Sequence, residues 1–198
     1  MPKKLRREPI TIAPDMVGWL DNNGNPIILD HRNNQPIEPY DVDAKIRIYE
    51  RQVKEWFLLP AKNLIRYNNK NKGFIVLMIC LSYLEGVEQY RSGRSSNRHS
   101  RAFFISAMNR LYPNMFNDFQ LSDFYTEARC GLFHNGMVGG RIIINNRYNQ
   151  DIEFDGDEIR ISPSKLLKDV INDFDQYLLS LANDQTSRDN FDRMYTNI

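Results

Sequence analysis

Arg129 and His134 stand five positions apart in the stretch Phe124-Tyr125-Thr126-Glu127-Ala128-Arg129-Cys130-Gly131-Leu132-Phe133-His134-Asn135-Gly136. A guanidinium grips a phosphate with a planar fork of N–H donors. An imidazole exchanges a proton near neutral pH. A group to hold a phosphate and a group to move a proton are what RNA cleavage needs. On an ideal α-helix five residues turn a side chain by roughly 140°, so direct contact is not expected. The two converge on one ligand if the helix loosens toward Asn135-Gly136, or if two copies of the chain meet. Gly131, between them, removes a side chain and lets a helix or a ligand come close. The spacing by itself is cheap: Arg94-Ser95-Ser96-Asn97-Arg98-His99 repeats it in a polar stretch. A cation in the last turn of a helix is also favoured by the helix dipole without any chemistry.

The elements around this pair read mainly as helices. From Asp41, Ile46, Tyr49, Val53 and Trp56 recur at helical steps until Pro60 interrupts. A second helix runs from Lys72 to about Arg91. Its Phe74 to Leu81 portion is apolar all round, which places it at the centre of a bundle. Phe104, Ala107, Met108 and Leu111 give a third, stopped near Pro113. Leu121, Phe124, Tyr125, Ala128 and Leu132 give the fourth, with Ser122 or Asp123 to cap it and Asn135-Gly136 as a left-handed stop. Ser162-Pro163 opens a last helix with Leu167, Val170, Ile171, Phe174 and Leu181 on its face. A β-hairpin over about 141–161 separates the fourth helix from the last. Residues 1–40 are rich in turn formers, with Asp21-Asn22-Asn23-Gly24-Asn25-Pro26 echoed at Asp30-His31-Arg32-Asn33-Asn34-Gln35. They read as an extended or hairpin N-terminal arm. The expected fold class is therefore mainly α. It comprises the arm (1–40), a helical domain of about five helices (41–182) and a polar tail (183–198) that frays.

Composition narrows the function classes. A formal net charge of +1 over 198 residues excludes a histone-like polycation, so nucleic-acid contact must come from a local patch. The two cysteines, Cys80 and Cys130, are not at zinc spacing, and no metal ligand set or cofactor motif is seen. They read as reduced thiols of a cytoplasmic protein. The basic start, Met1 to Arg7, has no apolar segment behind it and does not read as a signal peptide. The apolar run Phe74 to Leu81 is too short to span a bilayer.

The stretch Phe124 to Gly136 resembles the signature of the HEPN superfamily, small helical domains often found in bacterial ribonucleases and defence systems. The resemblance covers residues 41–182, with about a dozen of them specific. It implies a HEPN-like bundle acting as a homodimer, with two Arg–His motifs in one cleft, cutting RNA without metal. His134 would then serve as general acid or base at the ribose 2′-hydroxyl or the leaving oxygen. Arg129 would hold the scissile phosphate. The products would carry 2′,3′-cyclic phosphates. The role implied is that of a toxin or a phage-defence nuclease, with RNA, a second copy and an antitoxin or defence protein as partners and no membrane. Family members often carry a polar residue directly after the Arg, where this chain has Cys130. Some carry a modifiable Tyr two residues after the His, where this chain has Gly136.

The supporting candidates are Glu85, Glu88 and Asn135. Glu85 lies four residues after Leu81 on an apolar stripe, so it needs a partner, and Arg129 is the expected one. Arg91, Arg94, Arg98 and Arg101 form a cluster without an acid inside it, a candidate RNA-phosphate grip or else a solvated loop. The alternative to a nuclease is a catalytically silent HEPN-like module that binds RNA, a nucleotide or a protein.

Overall fold

The computed structural model describes residues 5–66 and 72–195. The basic start up to Lys4 and the end of the polar tail lie outside the described residues. The described residues form six helices and two β-sheets, an α/β fold. The expectation of an all-helical, HEPN-like bundle with one hairpin is thereby corrected. Two units divide the chain. The first is Met1–Pro60, Tyr90–Arg94 and Tyr177–Ile198, and the second is Ala61–Gln89 and Ser95–Gln176.

In the first unit the expected arm is a four-stranded antiparallel meander: β1 (Ile10–Ala13), β2 (Met16–Leu20), β3 (Pro26–Asp30) and β4 (Gln35–Ile37). The sequence echo marks two successive turns. Asp21 Oδ1 accepts the Asn23 and Asn25 N–H groups at 2.8 Å each, and Asp30 Oδ1 accepts that of Arg32 at 3.0 Å. Such self-bonding aspartates close a chain reversal where an arm would only extend. Helix α1 (residues 42–66) starts at Asp41, whose side chain caps Asp43 and Ala44. It packs on the sheet through Gln52, which donates to the Ile12 carbonyl at 2.6 Å, and Arg51, which holds fully buried Asp30 at 2.9 and 2.6 Å. Arg51's fork holds the Asp30 carboxyl below its usual range, against the effect of burial.

Pro60 does not stop α1 as expected. A π-helical turn, Lys54–Leu58, directly precedes it. Proline lacks the N–H and its ring crowds the carbonyl four residues back; the widened turn absorbs both defects. The tail forms α6 (Gln185–Tyr195) instead of fraying. Phe191 and Tyr195, one turn apart, bury against Tyr49 and Tyr90, with ring centroids 5.2–6.5 Å from their neighbours. Two rings in an otherwise polar segment were enough to dock it.

The second unit holds most of α2 (Gly73–Ser92), all of α3 (Ser100–Leu111) and α4 (residues 118–135), and the first two-thirds of α5 (Pro163–Asn183). Its sheet is mixed: β5 (Ile142–Ile144) pairs parallel with β7 (Glu158–Ile161), which pairs antiparallel with β6 (Ile152–Asp155). The expected hairpin thus becomes a three-stranded sheet. Asp155-Gly156-Asp157 forms the β6–β7 turn, with Gly156 at φ 56°. Helix α4 is capped by Asn117 and Gln120, which bond each other's backbone reciprocally, and not by Ser122 or Asp123. Leu77, Leu81, Leu84, Phe104, Phe124 and Phe174 are among the buried side chains of this unit. Contrary to the expected central helix, Phe74, Ile75 and Met78 on α2 are 36–52 % exposed.

Candidate active site

The signature stretch does not continue α4 as an α-helix. Asp118–Phe124 is α-helical, and Tyr125–Asn135 is a π-helix of eleven residues. A π-helix closes its hydrogen bonds from i to i+5, so residues five apart lie nearly above one another. That register brings positions 129 and 134 closer around the axis than the roughly 140° of a regular α-helix. Gly136 ends the segment at φ 71°, its N–H still bonded five residues back to the Gly131 carbonyl.

Glycines explain how the chain holds this register. The segment after the helix folds back on it, and the Gly139 N–H donates to the Glu127 carbonyl at 2.7 Å. In a regular α-helix that carbonyl would serve the Gly131 N–H. A Cβ on Gly131 would lie 2.6 Å from the Met137 carbonyl oxygen, and one on Gly139 would collide with the Glu127 carboxylate. The close approach that Gly131 permits is thus made by the chain's own Met137–Gly139 segment.

Arg129 is fixed from three sides. Its Nε and Nη2 donate to Glu85 Oε2 at 3.1 and 2.8 Å, across from α2. Its guanidinium carbon lies 5.0 Å from the Phe133 ring centroid and 5.5 Å from that of Tyr125. Nη1 makes no hydrogen bond among the described residues. The expected Glu85–Arg129 partnership is thus present, and both side chains are largely but not fully buried, at 13 and 19 % exposure. They line an open cleft of about 210 Å³ with Ser82, Gly86, Gln89 and Phe133. His134 and Asn135 are exposed on the same segment, outside the cleft lining.

Glu88 belongs elsewhere. It accepts from Ser106 at 2.7 Å and from Arg110 at 3.3 Å. Arg110 also binds Asp173, which accepts the Tyr83 hydroxyl at 2.7 Å. That network ties α2, α3 and α5 together as structure.

The basic stretch after α2 divides as well. Arg91 stacks on the Tyr177 ring at 4.4 Å, so it is engaged in packing. Arg94, Arg98 and His99 are exposed. Arg98 adopts φ 66°, which lets the His99 N–H close a tight turn on the Ser96 carbonyl at 2.5 Å. Ser96 donates to the second Glu85 oxygen at 3.3 Å, and its N–H to Gln89 at 2.9 Å. Arg101 lies 5.5 Å from the Tyr125 ring, the ring that Arg129 also approaches. Two guanidiniums thus approach one phenol, and the Glu85 carboxylate links one of them, Arg129, to Ser96. Burial first, and contacts with Cys130 and Glu85, push the Tyr125 hydroxyl above its usual range, against the Arg129 charge.

Tyr125, Phe133, Ser96 and Gln89 were not singled out from the sequence. Tyr125 and Phe133 sit one turn either side of Arg129, a signal that helical spacing does contain. Gln89 follows Glu85 by four residues on α2, a spacing the sequence also contains, and Ser96 is brought in by the turn at Arg98. Among the described residues, no three His, Cys, Asp or Glu side chains gather as a metal would require. No described helix is long and apolar enough to cross a membrane. No family model, curated protein or solved structure matches the chain.

Proposed function

We propose that this chain is a metal-independent endoribonuclease with HEPN-type Arg–His chemistry, working in the cytoplasm as a toxin or defence nuclease. The observation that carries the reading is the Glu85 carboxylate that holds the Arg129 fork in an open cleft, with His134 exposed on the same π-helical segment. The proposal rests on this motif and its acid, and not on an all-helical fold.

Glu85 uses Nε and Nη2 and leaves Nη1 for a phosphate oxygen, so the carboxylate orients the fork without consuming it. Arg98 and Arg101 would steady neighbouring phosphates. His134 would take the 2′-hydroxyl proton as the 2′-oxygen attacks phosphorus. The bond to the 5′-oxygen breaks, and that oxygen takes a proton from a protonated imidazole. Products would be a 2′,3′-cyclic phosphate and a 5′-hydroxyl. A second copy would supply the second imidazole. The exposed Ile75 and Met78 on α2, with Phe133 and Met137 beside the motif, offer apolar surface for it.

The runner-up is a silent module that binds RNA or a protein through the same cleft. His134 lying outside the cleft lining favours it. Against it, Arg129 does not cap its own helix, and His134 is not packed in a core. Incubation with varied RNAs in EDTA separates the two. Cutting that Arg129→Ala and His134→Ala abolish, and Arg94→Ala spares, supports the nuclease. RNA binding without cutting supports the module.

A further inference from the structure

A second concavity, of about 370 Å³, lies in the same unit between the end of α1 and the start of α5. Ile65, Leu167 and Ile171 make its floor. Lys62 and Arg66 stand on one wall and Lys168 on the other, all three exposed. Among the described residues no carboxylate lines it. Among the described residues none of the three cations forms an ion pair, and Asp151, whose charge interacts with Lys168, is not part of the lining. Lys62 and Arg66 are four apart on one helix, where like charges repel and cost stability. An aliphatic trough between two cationic walls without ion pairs has one complementary occupant in peptide chemistry: an acidic segment carrying aliphatic side chains.

We infer that this groove docks an acidic amphipathic helix of a partner protein, its Leu or Ile side chains on Ile65, Leu167 and Ile171 and its carboxylates toward Lys62, Arg66 and Lys168. Two features favour a helix over a small anion. The groove is open, whereas small-molecule sites enclose most of their ligand. Among the described residues its lining also carries no aromatic ring on which a nucleobase could stack, the usual anchor for single-stranded nucleic acid. A groove between two helices is the common seat of an amphipathic helix. The N–H groups at the start of α5 offer no anion site, because Ser164 N–H bonds Asn146 and those of Lys165 and Leu166 bond Ser162. The inference is independent of the chemistry assigned to Arg129 and His134.

The test is fluorescence anisotropy with a labelled helical peptide of alternating Leu-Leu and Glu-Glu pairs, roughly 16 residues long so that it holds a helix. Wild-type protein should bind it with micromolar affinity that weakens with salt. The Lys62→Glu/Lys168→Glu variant should bind about tenfold or more weakly. Ile171→Ser should also weaken binding. Both variants should keep the wild-type thermal midpoint to within a few degrees, and Arg66→Glu replaces either one that does not. A peptide with Lys in place of Glu should bind the charge-reversed variant better than wild type. Equal binding to wild type and variants would place the peptide elsewhere and overturn the inference. Displacement by adenosine monophosphate as effectively as by unlabelled peptide would make the groove a small-anion site, and absence of binding would also sink it.

Discussion

Arg129 places two N–H groups on a single oxygen of Glu85, at 3.1 and 2.8 Å, while the other Glu85 oxygen accepts from Ser96 at 3.3 Å. One carboxylate thus joins the motif helix, α2 and the turn at Arg98. Glu85→Gln keeps the shape and removes the charge. It should lower stability by about 1–3 kcal/mol, because Arg129 then sits four-fifths buried without a counterion. A double-mutant cycle of Glu85→Gln with Arg129→Met in urea should give a coupling energy of about 1–2 kcal/mol. Additive losses would show that the pair does not act as one.

Two glycines near the site should respond in opposite directions. A Cβ at Gly131 meets the Met137 carbonyl, so Gly131→Ala should destabilise by about 1–3 kcal/mol through overpacking. A Cβ at Gly86 meets nothing within 4 Å, so Gly86→Ala should stabilise α2 by about 0.5–1 kcal/mol. If the open face beside Gly86 takes substrate or a second copy, the same variant should lower RNA cleavage while raising the melting temperature.

How much was legible beforehand differs between elements for physical reasons. The Arg129–His134 spacing, the stop at Gly136 and the Glu85–Arg129 partnership could be read from residue types and periodicity. The π register could not, because it depends on the Met137–Gly139 segment folding back onto Gly131. Residues 1–40 read as an extended or hairpin arm, and the full four-stranded meander at 10–37 is not legible, since its short strands are apolar only in pieces and their pairing is set by two aspartate turns. The parallel β5–β7 pair joins segments fourteen residues apart, beyond the reach of local alternation. Glu88 shares the stripe of Glu85, yet Arg110 of α3 claims it, a choice made by packing.

Asp151 should give the fold a pH dependence. Burial, and next its hydrogen bond and repulsion with Asp169, raise its carboxyl from an ordinary 3.8 to about 6, against the nearby Lys165 and Lys168. Asp169 is itself fixed by the Tyr112 hydroxyl at 2.9 Å. Between those two pH values the folded chain holds a proton that the unfolded chain has released, so stability declines as pH rises through the window. Asp151→Asn removes the penalty. It should gain about 1 kcal/mol at pH 8, after allowance for solvent screening, and almost nothing at pH 4. Urea midpoints at the two pH values measure this, and an equal gain at both would refute the assignment.

The basic residues should separate into two kinds. Arg101→Ala should weaken RNA binding and reduce its salt dependence by about one phosphate contact. Arg91→Ala should lower the melting temperature, because its guanidinium lies over the Tyr177 ring. Filter binding across a salt series, beside thermal melts, resolves the pattern. An Arg91 variant with native stability and weakened RNA binding would reverse the division.

The most direct measurement is the chemistry of the cut ends. RNA incubated with the protein in EDTA should yield 2′,3′-cyclic phosphate and 5′-hydroxyl termini. Both Arg129→Ala and His134→Ala should abolish those products while the variants remain folded. Cleavage that needs a divalent metal, leaves 5′-phosphates or survives His134→Ala would contradict the account.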